Sequence, residues 1–548
     1  VRAVPVESVE LTYTRHTRSQ VVETEAAETI TEGETKAAVA SSPTVLPEPS
    51  GKRRRETIRP ALAVSVFLIV GAVALFYFRG RSGPKEAAPA TAVRSIAVLP
   101  LKAITTSEDD ETLSLGLAES LIARLGSSQK ITVRPLSSVT KYTGAEYDPL
   151  EAGHALQVDA IMDGSFQRDG NRLRVRVRLL RVADGRQIWA GTFDEIETDI
   201  FKLQDAISLE AASALALNLS QPERALVLKR YTENAEAYQA YLRGGYLLSK
   251  SGFDKENIDR AFAEYERALQ LDPNYALAHT GLAGAYARKA NISSGDKRRQ
   301  LYEQAKAAAL KALALDENLA EAHSSLGWVR RIYDWDWAAS ERHMTRAIEL
   351  APNEARFRRS YAFLLITLGR TAEAVVEARK AHELDPTYNS IYAFALASNR
   401  QTAEAISEYL KATELNNDLS AWAALADQYF TKGEYAESLR VIDRAPPEAK
   451  SKERIRMTLA MIYFLSGKKA KAQQLLREFE ASARDADGND AQLAAVYARI
   501  GRKDDAIAAL QRAFSTRDDR MMWIKTNPHY DTLRDDPRFQ EILQKMKL

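Results

Sequence analysis

"LADQYFTKG" at residues 425–433, "LAMIYFLSG" at 459–467 and "LAAVYARIG" at 493–501 are one phrase written three times. Each begins 34 residues after the last; Tyr429, Tyr463 and Tyr497 keep that interval, as do Gly433, Gly467 and Gly501. A fixed period of this length means a repeated helix, turn and helix that buries its apolar face only against its neighbours. The same grammar runs upstream, where "LAGAY" starts at Leu282 and "RALQLDP", "RAIELAP" and "KAHELDP" end at Pro273, Pro352 and Pro386. Gly ends the first helix in a conformation that other residues resist, and Pro stops the second. Small residues such as Ala268, Ala347, Ala374 and Ala381 let paired helices approach closely. About eight units fit between residues 235 and 515, one lengthened around "NISSGDKRRQ" and one short near Asn399.

This pattern resembles the tetratricopeptide (TPR) repeat. The resemblance implies an all-α superhelix over residues 221–548, with a concave groove of first helices that takes a protein or peptide ligand. His279, His323, Trp328 and Trp422 are the candidate groove contacts, while Tyr286 and Tyr429 are pattern positions that read as core. The closing stretch "WIKTNPHYDTLRDDPRFQEILQKMKL" is expected to cap the last unit, and Trp335 and Trp337 of "DWDW" to pack locally.

Ahead of the array, "RSIAVLPLKAI" carries an apolar run, Ile96 to Leu101, suited to a buried strand. Leu113, Leu117, Leu121 and Leu125 share one helical stripe, and "ITVRPLS" reads as a second short strand. Asp169-Gly170 and Asp184-Gly185 then mark tight turns in a three-strand meander, and Ile200 to Leu217 returns as a helix. The order β-α-β-α-β-β-β-α gives a small mixed sheet with helices packed on it. Ser95-Ile96-Ala97-Val98-Leu99-Pro100, Val158-Asp159-Ala160, Gly164-Ser165, Asp184-Gly185 and Ile188-Trp189-Ala190 make residues 94–220 resemble the TolB amino-terminal-like domain, which implies a non-enzymatic binding or assembly module. Within it Arg172, Arg174, Arg176 and Arg178 alternate with aliphatics, so all four share one sheet face. That stripe is a candidate surface for an anionic partner, or a solvated face neutralised by acids on a neighbouring strand.

Residues 59–79 read as a single transmembrane helix. Ala61 to Phe78 is uncharged, and eleven of its eighteen residues are Leu, Ile, Val or Phe, favouring insertion by about 3 to 7 kcal/mol. Five basic residues precede it (Lys52, Arg53, Arg54, Arg55, Arg59) and three follow (Arg79, Arg81, Lys85). The positive-inside rule then predicts a cytoplasmic amino terminus, with the carboxy-terminal domains outside the bacterial cytoplasmic (inner) membrane. Residues 80–93 form a Pro/Ala-rich spacer. Residues 1–58 have too little apolar content for a core and read as a flexible juxtamembrane linker. "VRAVPVESVELTYTRHTRSQVVETE", in particular Thr14-Arg15-His16-Thr17-Arg18-Ser19, resembles the tail after the winged-helix DNA-binding domain of CadC/ToxR-type regulators. The chain starts at Val1 rather than Met and is expected to be a fragment lacking that domain.

The predicted fold class is therefore multidomain: a single transmembrane helix, a small α/β (TolB-like) domain, then an all-α TPR superhelix. With 76 basic and 74 acidic residues, bulk charge predicts no nucleic-acid binding, and no cysteine means no disulfide, thiolate metal site or cysteine nucleophile. The seven histidines form no HxH or HxxxH pair, and no Walker loop, GxGxxG or GxSxG is present. No cofactor, no metal and no enzymatic activity are expected. The function predicted is the sensory and protein-interaction portion of a membrane-anchored one-component transcriptional regulator. Its partners would be a protein or peptide in the groove, the membrane through residues 60–78, a second copy in a homodimer, and DNA only through the missing domain. The alternatives are the extracytoplasmic tail of a Ser/Thr kinase or nucleotide cyclase, or a stand-alone envelope adaptor.

Overall fold

A computed structural model describes residues 93–548, apart from 105–107, 129, 145, 197–198, 251–253, 416–417 and 486–489. The six strands are β1 (Ser95–Val98), β2 (Lys102–Ala103), β3 (Thr132–Val133), β4 (Ala160–Asp169), β5 (Arg172–Arg181) and β6 (Gln187–Ile196). They form one mixed sheet in the order β3-β1-β4-β5-β6, with β2 beside β4. β1 runs parallel to β3 and β4, and β4, β5 and β6 are an antiparallel meander. Gly170 and Gly185 take φ values of +60° and +68° at the two hairpin turns. Val98, Phe166, Val175 and Val177 face the helices Glu108–Gly126 and Ile200–Ala214 across a dry core.

From residue 235 onward the described residues build eight consecutive helix pairs, from Ala235–Lys250 with Lys255–Leu271 to Asp490–Arg499 with Lys503–Thr516. Ala268, Ala347, Ala374 and Ala381 are all fully buried at helix contacts. Gly369, Gly433, Gly467 and Gly501 adopt φ between +75° and +87° at the ends of first helices. At Gly433 the next amide, Glu434, donates back to the Tyr429 carbonyl at 2.9 Å, which closes the helix end. A Cβ on Gly433 would touch nothing within 4 Å, so Gly433→Ala should cost only its conformational penalty, about 1–2 kcal/mol, checked by chemical denaturation.

Sheet and array share a core. Tyr238, Leu242 and Tyr275 of the first repeats belong to the same apolar cluster as the sheet. A Cβ on Gly116 would lie 2.2 Å from the Leu242 Cδ1 methyl, so any larger residue there would push the Leu242 side chain aside. A second contact joins the sheet end to the fourth pair. Arg134 donates to the Glu383 and Leu384 carbonyls at 2.6 and 2.8 Å, and Ser138 Oγ donates to the buried Asp385 at 2.7 Å.

The expected fold class needs correction. No helix among the described residues is long and apolar enough to cross a membrane. The longest described helix, Gly295–Leu315, carries Asp296, Lys297, Arg298, Arg299, Glu303, Lys306 and Lys311. The expected transmembrane segment 59–79, the linker 1–58 and the spacer as far as residue 92 lie outside the described residues. What the chain builds is a mostly helical TPR-type superhelix carrying a small mixed sheet. Single-pass placement in the inner membrane is withdrawn on the same finding.

Candidate functional site

The alternation in β5 places Arg172, Arg174, Arg176 and Arg178 on the exposed face and Leu173, Val175, Val177 and Leu179 in the core. Neighbouring strands neutralise most of the stripe. Asp194 on β6 accepts from Arg172 and Arg174 at 2.8 and 2.6 Å, and Asp163 on β4 takes a two-pronged bond from Arg178 at 2.7 and 2.9 Å. Arg176, opposite Thr192, makes no ion pair among the described residues. The two kinds of pair should behave differently. Arg174→Ala should leave stability at the wild-type value, because solvent already screens its pair. Arg178→Ala strands Asp163, whose side chain is 8% exposed, and should cost about 2 kcal/mol in urea denaturation.

The four groove candidates are spread along first helices and do not converge. His279 and His323 occupy equivalent positions, each with Nε2 on a carbonyl six residues upstream, Pro273 and Glu317, at 3.0 and 2.9 Å. His323 also meets His343, Nδ1 to Nδ1, at 3.0 Å. Their separation in sequence had hidden that pair. Burial, with His323 beside it, lowers the His343 imidazole to about 4, and no cluster of three candidate metal ligands exists among the described residues. Trp328 packs on Tyr302, 6.0 Å between ring centroids. Trp422 packs partly buried against the core of the fourth to sixth pairs.

The groove is already in use. After a left-handed Arg517, the chain turns back and runs along the first helices as two short turns, Asp519–Trp523 and Pro528–Leu533, before the last helix Pro537–Lys545. Asp518 starts the return, its buried carboxylate accepting from the Arg520 and Ala491 amides at 3.0 and 3.1 Å. Trp523 packs on both Phe363 and Phe394, ring centroids 5.6 and 5.3 Å away, with the Arg331 guanidinium against its face. Arg400 reaches Asp531 at 2.8 Å. Trp337 Nε1 donates to the Met546 carbonyl at 2.7 Å, and Trp335 packs on Phe514 at 5.6 Å.

Two expectations are thereby corrected. The closing stretch does more than cap the last unit, since it spans contacts from the third pair to the eighth. Trp335 and Trp337 pack against remote chain rather than locally: Trp337 meets Met546 of the closing stretch, 209 residues away, and Trp335 meets Phe514 of the eighth pair, 179 residues away.

Beneath the returning segment lies a cavity of about 270 Å3. Phe394, Met457, Met461, Ala495 and Trp523 supply its apolar lining, and none of His279, His323, Trp328 or Trp422 reaches it. On its wall, buried Asp427 accepts from His529 Nε2 at 2.8 Å and from Arg454 Nη2 at 3.1 Å. Burial pushes the Asp427 carboxyl up, but the neighbouring imidazole and guanidinium more than offset it and hold it well below the usual carboxylate range. The sequence did carry a signal for this site. In the 34-residue register Asp427 and Gln428 stand where the sister repeats have Met461, Ile462 and Ala495, Val496.

Comparison with known proteins fits this architecture. Residues 92–209 match the family model described as "HilA/YgeH-like transcriptional regulator, second domain", and residues 252–289 match a TPR repeat model. That first match falls on residues 94–209 of the stretch 94–220 for which the sequence suggested a TolB-like module. The protein named "Putative adenylate cyclase 3" of Rhizobium meliloti is 28% identical over 189 residues, 34% of this chain and 32% of its own length. The chain therefore spans about a third of that relative. Among solved structures, a thermophilic TPR protein of Thermus thermophilus is 20% identical, covering 37% of this chain and 95% of its own, with a TM-score of 0.26. A TPR protein of Parabacteroides merdae is 15% identical, covering 44% and 93%, with a TM-score of 0.34.

Proposed function

We propose that this chain is the signal-receiving, protein-interaction portion of a one-component transcriptional regulator that reads DNA through a winged-helix domain. The observation that carries the reading is a regulator-type second domain sharing one hydrophobic core with a TPR array. A change at the groove can then reach the sheet domain without crossing a flexible linker. In this reading the chain is not an enzyme, its groove takes a protein or peptide, and two copies associate when the regulator acts. Stacked helical repeats present extended concave surfaces for such partners, and residues 519–533 here occupy the place of one. Chromatin immunoprecipitation of the epitope-tagged native gene product should enrich discrete promoter regions. Enrichment of no site would overturn the reading.

The likeness to a protein named as an adenylate cyclase favours one second reading, the accessory region of a nucleotide cyclase. Formation of cyclic AMP from ATP by the purified native gene product would establish it in place of the first.

A further inference from the structure

Arg331 is 4% exposed, and its one hydrogen bond among the described residues runs from Nη1 to the Met522 sulfur at 3.2 Å. Nε is enclosed without a partner. Nη2 has no partner either, but it is not enclosed, so whatever enters the space beside it can reach it. The Phe363 and Trp523 ring centroids each lie 5.7 Å from the guanidinium carbon. Two ring faces and a thioether only partly replace the hydration that a buried cation gives up. Arg359, which makes no ion pair among the described residues, adds its own positive charge nearby. The backbone is unusual here as well. Arg331 stands in a π-helical turn, Arg330–Asp334, a rare feature that recurs at functional sites.

Beside the guanidinium opens a cleft of about 250 Å3. Arg331 and Phe363, on the third and fourth pairs, line one side, and Asp519, Arg520, Met522 and Trp523 of the returning segment line the other. Arg520 has Asp518 at 3.6 Å, and Asp519 has Arg298 at 4.0 Å. Arg331 is the charge left unmatched. A single negative charge would balance it, whereas a dianion would also meet the Asp519 carboxylate. Carboxylate oxygens suit the guanidinium edge, and the Phe363, Met522 and Trp523 surfaces suit an apolar body. A cavity of about 150 Å3 holds a benzene ring, so this cleft has room for a ring and its carboxylate.

We infer that this cleft binds a small organic carboxylate, one oxygen accepting from Arg331 Nη2 and the apolar body lying against Phe363 and Met522. The ligand would touch the repeats on one side and the returning segment on the other, so its binding would tighten the segment's grip. This goes beyond the regulatory reading and does not depend on it, since binding is measured on the chain alone.

The test titrates the whole chain with benzoate by calorimetry at pH 7.5 and low ionic strength, with benzamide and inorganic phosphate as comparisons. Benzoate should bind saturably and raise the thermal midpoint. Benzamide, of the same shape without the charge, should bind at least tenfold more weakly. Phosphate should also be at least tenfold weaker, because it matches the guanidinium but not the apolar wall. Arg331→Met should weaken benzoate at least tenfold and abolish its effect on the midpoint. The benzoate and benzamide comparison is read on the unaltered chain, so the inference can fail whether or not that variant folds. Absence of saturable benzoate binding, equal binding of benzamide, phosphate binding as tight as benzoate, or undiminished benzoate binding to the Arg331→Met chain would each overturn it. None of these results bears on promoter occupancy, so the two proposals fail separately.

Discussion

Trp523→Ala is expected to remove about 3 kcal/mol of folding free energy and to release residues 519–533 from the groove. The indole meets Phe363 and Phe394 from two first helices and also takes the Arg331 guanidinium against its face. Arg331 is 4% exposed, and burial lowers its guanidinium to about 10. Among the described residues its hydrogen-bond acceptor is a weak one, the Met522 sulfur at 3.2 Å, with the Asp519 carboxylate acting on it only through its charge. Losing the indole therefore empties an apolar slot and strips a buried cation of half its aromatic enclosure. Hydrogen exchange should show the turns at 519–523 and 528–533 opening long before the repeats. Uniform loss of protection across the array would mean instead that Trp523 is ordinary core.

Asp427→Asn is the second large effect, about 2–3 kcal/mol. The carboxylate ties the returning segment, through His529, to the sixth repeat and also takes Arg454 of the seventh. Asparagine keeps the shape but offers one acceptor where two donors converge. The pH dependence follows from the lowered carboxyl. Its contribution is fully present above the unfolded value of about 3.9 and is lost as pH falls toward the folded one. The gap in thermal midpoint between wild type and Asp427→Asn should thus be full at pH 6 and shrink below about pH 4. A gap independent of pH would show that the ion pair contributes nothing beyond packing.

Periodic features of this fold were legible because each repeat states its own boundaries. Gly433, Gly467 and Gly501 mark helix ends whatever lies around them, and the Arg/aliphatic alternation from Arg172 to Leu179 could only be a two-faced strand. The groove contents were not legible in that way. The contact of Trp337 with Met546 joins residues 209 positions apart, and no period links them. Aromatic and aliphatic residues in the closing stretch read as a cap because burial against any neighbour would satisfy them equally. The one sequence mark of the site is a broken rule: a carboxylate and an amide, Asp427 and Gln428, at repeat positions that are otherwise apolar. His279 and His323 recur for a plainer reason, since both close the carbonyl end of the preceding turn.

Residues 519–533 lie along the first helices of the array. The absence of cysteine from the sequence allows a direct measurement. Arg400→Cys and Asp531→Cys introduce thiols at side chains that pair across the groove at 2.8 Å, though 131 residues apart. A short bis-maleimide should join them within one native chain, giving a single faster-migrating monomer, and should fail to do so in urea. Native chains that take up two separate reagents and form no internal bridge would contradict the account.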